Sequence, residues 1–369
     1  MRVIYTIHEM FFLTGFPGFL GTEVMMRTLK RNQNARFNCL IQEKFLPLAE
    51  ARRLEIAEKV PGSEARIQFS IGDLTSADLG LGKSNLNHSE ITEVFHFAAV
   101  YDLNVTEELG KRVNVQGTKN ILDFCGKLQN LNKLHYVSTC YVSGKHDGVF
   151  HETDLDVGQT FNNFYESTKF EAEVLVREKM KQGLRATIYR PSIVVGNSKT
   201  GETQKFDGPY YVMQWLLRQK KHAYLPKLGD PDRYTINLVP SDYVVDAMDY
   251  LCTKESSVSK TFHLADPHPL TIAQTVQDLS RKCGKILVQI PLPRALAKWA
   301  VGNVPGLEKW LKIPRLSLDY FVHPTHYDTS EAQNALEGSG ISCPAFPAYS
   351  QKLVDYMQKS PDLRTKALV

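Results

Sequence analysis

Residues 11–21 read FFLTGFPGFLG, an apolar run of strand length that passes directly into three glycines spaced three apart, Gly15, Gly18 and Gly21. The following FLGTEVMMRTLKR is helix-like, so the stretch spells strand, turn, helix. In such a turn the first glycine permits the tight bend, the second lets the backbone approach a pyrophosphate, and the third lets the helix pack closely on the strand. The helix N-terminus then offers free N–H groups and the positive end of its dipole to phosphates. Gly15, Phe16, Pro17, Gly18, Phe19 and Leu20 are therefore candidate cofactor-binding residues. A plain glycine-rich turn is the competing reading of the glycines alone; their place in a first βαβ unit favours a dinucleotide.

Outward from this stretch, β-rich runs alternate with helical ones as far as residue 190: RFNCLI, LAEARRLEIAEK, RIQFSIGDL, EVFHFAA, NVQGTKNILDFCGKL, KLHYVST, FYESTKFEAEVLVREKM, RATIYRP. That alternation predicts an α/β fold, a doubly wound parallel Rossmann sheet. The expected boundaries are 10–190 for the NAD(P)-binding domain, with 236–265 returning to it, and 191–235 plus 266–369 for a smaller, mostly C-terminal substrate-binding lobe. Within the lobe, LVQIPLPRALAKWAVGNVPGLEKWLKI at 287–313 mixes Trp, Leu, Pro and spaced Lys. It reads as walls of a substrate cleft, as faces lying on a membrane surface, or as ordinary core-facing helices. No apolar run reaches the roughly 18–20 residues of a membrane span, which leaves peripheral contact as the expected limit of any membrane association.

Composition narrows the classes. A net charge of +4 on 44 basic and 40 acidic residues, with no Lys/Arg run interleaved with aromatics, argues against a nucleic-acid partner. The six cysteines, at 39, 125, 140, 252, 283 and 343, lack C-x-x-C spacing and nearby His pairs, so no metal site or disulfide framework is expected and a cytoplasmic setting is. A signal peptide fits the N-terminus poorly, because Glu9 precedes the most apolar part and the Gly/Pro turn interrupts it. Residues 1–9 add little, and Met10 is an alternative start.

The end of the second strand, NCLIQEKF, is where a ribose reader is expected. Gln42 stands where an Asp would favour NAD, and Lys44, Arg52 and Arg53 follow, which points to NADP; Glu43 argues the other way and keeps NAD as the alternative. FYESTKFEAE places Tyr165 and Lys169 at i and i+4, on one helix face. An ammonium beside a phenol favours its ionised form, so Tyr165 is a candidate proton donor or acceptor near neutrality while Lys169 reaches a ribose hydroxyl. Upstream, HYVSTCYVSG delivers Ser138 and Thr139 at a strand's carboxyl end, where open α/β sheets bind ligands, and Thr139 is placed to hold a carbonyl oxygen. Cys140 is expected to be structural, since strand alternation aims it away from Thr139. His96 reads as a core residue, and His151 and Glu152 as substrate contacts or as loop and cap residues.

At this point the chain resembles the extended short-chain dehydrogenase/reductase family. TGFPGFLG, GDL at 72–74, FHFAA at 95–99, NVQGT at 114–118, VST at 137–139, YESTK at 165–169, YRPSIVVG at 189–196 and LVPSDYVVDA at 238–247 stand in the family's order over residues 10–265, with a fainter echo in YDTSEAQNALEGSGI. The resemblance implies a catalytic set of Thr139, Tyr165 and Lys169, with Asn114 kinking a helix and supporting a proton-relay water. It implies that Asp73 and the adjoining Leu74 meet the adenine, that Ala98 and Ala99 lie along the cofactor, and that Pro191 and Ile193 meet the nicotinamide end. The wording of VSTCYVSG, NFYESTKFEAE and NLVPSDYVVDA is similar to the thioester-reductase and fatty acyl-CoA reductase branch, where an Arg at the place of Arg53 helps hold a 2′-phosphate. Gln42 departs from that branch, which usually has Arg there.

The resulting expectation is an NAD(P)H-dependent reductase of an acyl thioester or lipophilic carbonyl. The alternative is an NAD-dependent nucleotide-sugar epimerase or dehydratase, for which Lys227 and Arg233 would serve a second diphosphate. A non-catalytic NAD(P)-binding regulator is the third reading, and the intact Thr/Tyr/Lys set argues against it. No adenylation or carrier segment is legible in these residues, so the acyl group is expected on coenzyme A or a partner carrier, with a homodimer as the assembly allowed for.

Overall fold

The computed structural model describes residues 9–82, 86–293 and 322–360, together with Leu296, Trp299 and Asn303. Residues 1–8 and most of 294–313 therefore lie outside the described residues. Strand β1 (Met10–Thr14) runs into helix α1 (Phe19–Arg31), followed by β2 (Arg36–Ile41), α2 (Leu46–Lys59), β3 (Ile67–Ile71) and β4 (Ile91–His96). Helices α3 (Glu107–Gly110) and α4 (Gly117–Cys125) flank a π-helical turn at Lys111–Gln116 and lead to β5 (Lys133–Val137). After β6 (Gly148–Phe150) come α5 (Phe164–Lys181), β7 (Ala186–Pro191), β8 (Ile193–Val195), α6 (Pro209–Arg218), β9 (His222–Leu228), β10 (Leu238–Pro240), α7 (Ser241–Cys252) and β11 (Thr261–Leu264). The chain continues through α8 (Ile272–Lys282), β12 (Ile286–Leu292), β13 (Thr325–Tyr327), α9 (Ser330–Leu336) and α10 (Phe346–Lys359).

Seven strands form one sheet in the order β11-β7-β5-β4-β1-β2-β3, parallel at every pairing. The doubly wound sheet is thus the one the sequence predicts. All five residues of β1 are buried, as a central parallel strand with both faces covered requires. Its alternation sorts Phe11 and Leu13 into one core cluster and Met10 and Phe12 into another. The order reverses between β1 and β4, so the crevice for a ligand opens at their carboxyl ends. A third apolar cluster joins α6, α8 and α10 with the two-stranded sheets β8/β10 and β9/β12.

The turn after β1 needs two of its three glycines for reasons internal to the chain. Gly15 has φ +90°, and a Cβ there would lie 2.7 Å from the Ala98 nitrogen. At Gly18 a Cβ would lie 2.6 Å from the Gly15 carbonyl oxygen, which already accepts the Gly18 N–H at 2.8 Å. Gly18 is therefore demanded by the turn itself, before any pyrophosphate is considered. Gly21 corrects the expectation of close packing: a Cβ there would meet the Phe97 ring at 3.5 Å, an ordinary contact.

One buried ion pair fixes α5 to the sheet. Arg190 on β7 donates to both Glu173 oxygens at 2.6 and 3.0 Å, with neither side chain exposed, and Arg177 donates to the same carboxylate at 3.0 Å. Burial works to raise the Glu173 pKa, but Arg190 and Arg177 outweigh it and hold the carboxyl down at about 2. Beside this pair Glu152 settles its two readings in favour of a cap. Its carboxylate accepts the backbone N–H groups of His263 on β11 and of Glu331 and Ala332 at the start of α9. His151 is exposed and pairs with Asp328 at 3.0 Å.

Removing one member of a buried pair strands the other charge, so Glu173→Ala is expected to lower unfolding free energy by about 3–5 kcal/mol in urea titrations; a change below about 1 kcal/mol would refute the pinning role. Because the folded pKa is depressed, the pair's contribution is complete above the ordinary carboxylate range near 4.5 and is lost as pH falls toward 2. In the turn, Gly18→Ala should destabilise by about 1–3 kcal/mol. Gly21→Ala, inside a helix and with room for its methyl, should be neutral or stabilising by up to about 1 kcal/mol in the same titration.

Candidate active site

A cavity of about 420 Å³ opens over the carboxyl ends of β1, β4 and β5 and runs on to α8. From the glycine turn it is lined by Gly15, Gly18, Phe19 and Leu20, and from the later motifs by Ala99, Pro191 and Ile193. Thr139, Tyr165 and Lys169 meet in the same wall. Sequence segments spread from residue 15 to residue 193 thus converge on one space.

Tyr165 and Thr139 line the same wall, close enough for the Thr139 side chain to act on the phenol. Thr139 follows β5 at its carboxyl end, and its hydroxyl also accepts the Tyr141 N–H at 3.2 Å and donates to the Pro191 carbonyl at 3.4 Å. Lys169 sits one turn further along α5, but its ammonium is not hydrogen-bonded to the protonated phenol. It donates instead to the Val137 carbonyl at 2.8 Å and to the Tyr136 hydroxyl at 3.2 Å, and lies 4.6 Å over the Tyr136 ring. Burial pushes the Tyr165 phenol above its usual range, so it stands protonated at neutral pH. Burial brings Lys169 down to about 8, with Glu173 acting in the opposite sense. The pair is thereby a held proton donor beside a cation, and not a mutually lowered couple.

Asn114 lies in the π-helical turn, which accounts for the expected helix distortion. Its amide oxygen accepts the Val100 N–H at 2.9 Å and its amide nitrogen donates to Thr168 on α5 at 3.0 Å. It stands behind the cavity wall and ties α5 to the loop after β4. His96 is buried between the hydroxyls of Thr14 at 2.8 Å and Thr118 at 3.0 Å, and burial, with Lys169 nearby, pushes it down to about 3. Cys140 is fully buried with its thiol on the Arg190 carbonyl. Tyr136 and Thr118 complete this polar layer and are absent from the sequence reading; an aromatic hydroxyl in a buried strand three residues before Thr139 is the only signal that pointed to them.

The glycine turn fits a dinucleotide. A Cβ would fill the backbone at Gly15 and Gly18, and α1 begins with neither a side-chain cap nor an acidic residue in its first turn, leaving its dipole and N–H groups to an anion. Ala98 donates its N–H to the Thr14 hydroxyl at 3.3 Å. At the end of β2, Gln42 donates to Asp73 at 3.2 Å, and Asp73 also accepts the N–H and hydroxyl of Thr75 at 2.8 Å each. The guanidinium of Arg53 lies 5.5 Å over Phe69, whose ring stacks on Phe16 of the glycine turn, while its Nη2 pairs with Glu50 at 2.6 Å. Lys44 is exposed with its ammonium 4.9 Å over the Phe45 ring. Phe16, Pro17 and Leu74 are buried, Leu74 in the core beneath Gly117.

Beyond Tyr165 the walls become apolar, with Ile193, Val194, Val212, Ile236, Val276 and Leu279. Tyr101 stands edge-on to Tyr165 with ring centroids 5.0 Å apart, and Lys205 lies over Tyr101 while pairing with Asp207 at 3.0 Å. Lys227 and Arg233 are not among the lining residues; Lys227 pairs with Asp232 and Arg233 packs over the Tyr234 ring. No group of metal-ligating side chains occurs among the described residues, and none of their helices is long and apolar enough to cross a membrane.

Comparison with known proteins agrees with this geometry. Residues 13–248 match the family profile described as the NAD-binding male sterility protein. The L-2-aminoadipate reductase large subunit of Penicillium chrysogenum is 28% identical over 255 residues, 63% of this chain and 18% of that protein. The chain spans about a quarter or less of the length of several such curated relatives. Among solved structures, the terminal R domain from the myxalamid PKS-NRPS biosynthetic pathway superimposes with a TM-score of 0.82 at 25% identity, over 96% of this chain and 91% of that one. UDP-glucuronic acid 4-epimerase from Bacillus cereus shares the fold with a TM-score of 0.65 at 18% identity, over 96% and 99% of the two chains. The chain belongs to the NAD-binding male sterility protein family, the thioester-reductase-like branch of the extended short-chain dehydrogenases/reductases.

Proposed function

We propose that the protein reduces the carbonyl of an acyl thioester, with the acyl chain lying in the apolar half of the cavity and the thiol, on coenzyme A or a carrier, leaving through its mouth. The observation that carries this reading is the meeting of Tyr165, Thr139 and Lys169 in one wall at the junction between the glycine turn and those apolar walls. The residue set at the end of β2 supports NADP, with Arg53 as the cation for a 2′-phosphate.

A dinucleotide held by the glycine turn at Gly15 and Gly18, with its nicotinamide end toward Pro191 and Ile193, would supply the hydride that the carbonyl carbon receives. Thr139 and Tyr165 hold the carbonyl oxygen, and as negative charge develops there Tyr165 gives it a proton. The carbon–sulfur bond of the resulting hemithioacetal then breaks, its hydroxyl proton passing to the departing thiolate, which yields an aldehyde and a free thiol. Lys169 stabilises the tyrosinate left behind and has an N–H to spare for a ribose hydroxyl, since the Val137 carbonyl and Tyr136 use two of three. The charged side chains lining the substrate half are Asp102, Lys205 and Asp207, an excess of acid that repels a diphosphate and tolerates a carbon chain. That balance favours a lipophilic thioester over a nucleotide sugar.

The test is NADPH and NADH oxidation at 340 nm with a long-chain acyl-CoA, the matched aldehyde, and no substrate in parallel. Oxidation with the acyl-CoA establishes the reaction; oxidation with the aldehyde alone would restrict it to carbonyl reduction. Tyr165→Phe is expected to keep NADPH affinity while kcat falls by about 10²–10⁴-fold; unchanged turnover would remove Tyr165 from the chemistry. Because Lys169 is held at about 8, kcat should decline as pH rises through that value and the ammonium is lost. Lys169→Met should abolish this alkaline limb, as a pH profile would show.

A further inference from the structure

Among the described residues, one face of the two-stranded sheet β9/β12 turns large apolar side chains to solvent. Strand β9 pairs in parallel with β12 so that His222, Tyr224 and Pro226 oppose Ile286, Val288 and Ile290. Alternation puts these six on one side, while Ala223, Leu225 and Leu287 turn the other way into the lobe's apolar cluster. Tyr224, Ile286 and Ile290 are about half exposed, at 52%, 48% and 53%. Leu296 and Trp299, a few residues further on, are exposed to the same degree. A sheet that turns isoleucine and tyrosine to water on the face opposite its core carries an interaction surface.

Charge identifies what covers it. No Asp or Glu occurs between Asp207 and Asp230 or between Asp278 and Glu308, the two stretches that contain the paired strands. Those stretches bring Arg218, Lys220 and Lys221 ahead of β9 and Arg281, Lys282 and Lys285 ahead of β12. Since the strands are parallel and start in register, with Ile286 opposite His222, both basic groups stand at the same end of the apolar face. Apolar side chains beside Lys220, Lys221, Lys282 and Lys285, with Arg281 alone of the basic group ahead of β12 paired to an acid among the described residues, Asp278 at 3.6 Å, match the boundary between acyl chains and anionic head groups. We propose that the outer face of β9/β12 docks the protein on an anionic phospholipid surface. The helices α6 and α8, which wall the apolar half of the cavity, are the same two that end in these basic residues, so docking brings that half toward the lipid.

The experiment is flotation of the full chain with vesicles of phosphatidylcholine alone and of phosphatidylcholine with phosphatidylserine, at low and high salt. Wild type is expected to float with the phosphatidylserine vesicles, and less so at high salt. Ile286→Asp/Ile290→Asp, at exposed positions away from the cavity, should reduce bound protein by about tenfold or more. Lys220→Glu/Lys221→Glu should reduce it on anionic vesicles alone. Unchanged NADPH binding by each variant shows that the loss is not unfolding. Failure of wild type to float with either vesicle, or equal flotation of wild type and the isoleucine variant, overturns the proposal. So does binding of an acidic acyl carrier protein that the isoleucine variant abolishes while vesicles are ignored. Flotation does not depend on turnover, so it stands or falls separately from the thioester reaction.

Discussion

Glu173 and Arg190 meet where water reaches neither, and their meeting fixes α5 along its own axis. Residues 165, 169 and 173 recur at helical spacing, so one face of α5 carries the phenol, the ammonium and the anchoring carboxylate in line. A shift of one residue, about 1.5 Å along the helix, would break the pair and leave both charges unpaired in a medium that stabilises neither. Arg190 is held from its other side by the Asp154 carbonyl and His263. His263 must then accept at Nε2 from the guanidinium and donate at Nδ1 to the Asp328 carbonyl, which is the neutral form that burial and Arg190 favour. The position of Tyr165 is thus set by a network that extends to β11 and α9 and contains no residue that touches substrate.

That rigidity lets one wall serve two electrostatic tasks. In the proposed reaction Tyr165 has to keep its proton until the carbonyl oxygen becomes basic, and burial does this by penalising the phenolate. Lys169 has to remain charged in the same dry layer, and the Tyr136 ring, the Tyr136 hydroxyl and the Val137 carbonyl compensate part of its lost hydration. His96, close behind, contributes no second cation, because its two threonine partners satisfy it as a neutral ring. A charged imidazole there would oppose the ammonium on which the tyrosinate depends.

The parallel sheet, the glycine turn and the i, i+4 pair were legible because each is written in local spacing. What stayed hidden is written between distant residues. Arg190 in the apolar run RATIYRP implies a buried partner, yet nothing in spacing singles out Glu173 from the other acids of α5. Glu152 reads in the sequence as a substrate contact or as a loop or cap residue, and the return of the chain at 331–332 decides for the cap. The i, i+4 rule correctly put Lys169 on the face of Tyr165, but β5 lies nearer to that ammonium than the phenol does, and a carbonyl at a strand's end competes for it successfully. Gly21 shows the converse, a residue that the motif explains and the packing does not require.

The cavity divides its charges so that a dinucleotide and the acyl chain of the proposed thioester would meet different surroundings. At the glycine turn, bare N–H groups and a helix dipole attract phosphate. Past Tyr165, Lys205 is already neutralised by Asp207, and Asp102 adds a further acid. An anionic handle such as a pantetheine phosphate gains nothing by entering that half, while a hydrocarbon chain loses only its contact with water. For the proposed thioester, binding free energy would then be largest with the chain inside and the phosphate at the mouth, which would place the carbon–sulfur bond between them, at the level of Thr139 and Tyr165. The same partition that orients the substrate leaves the departing thiol on the solvent side, so its release requires no passage through the apolar half.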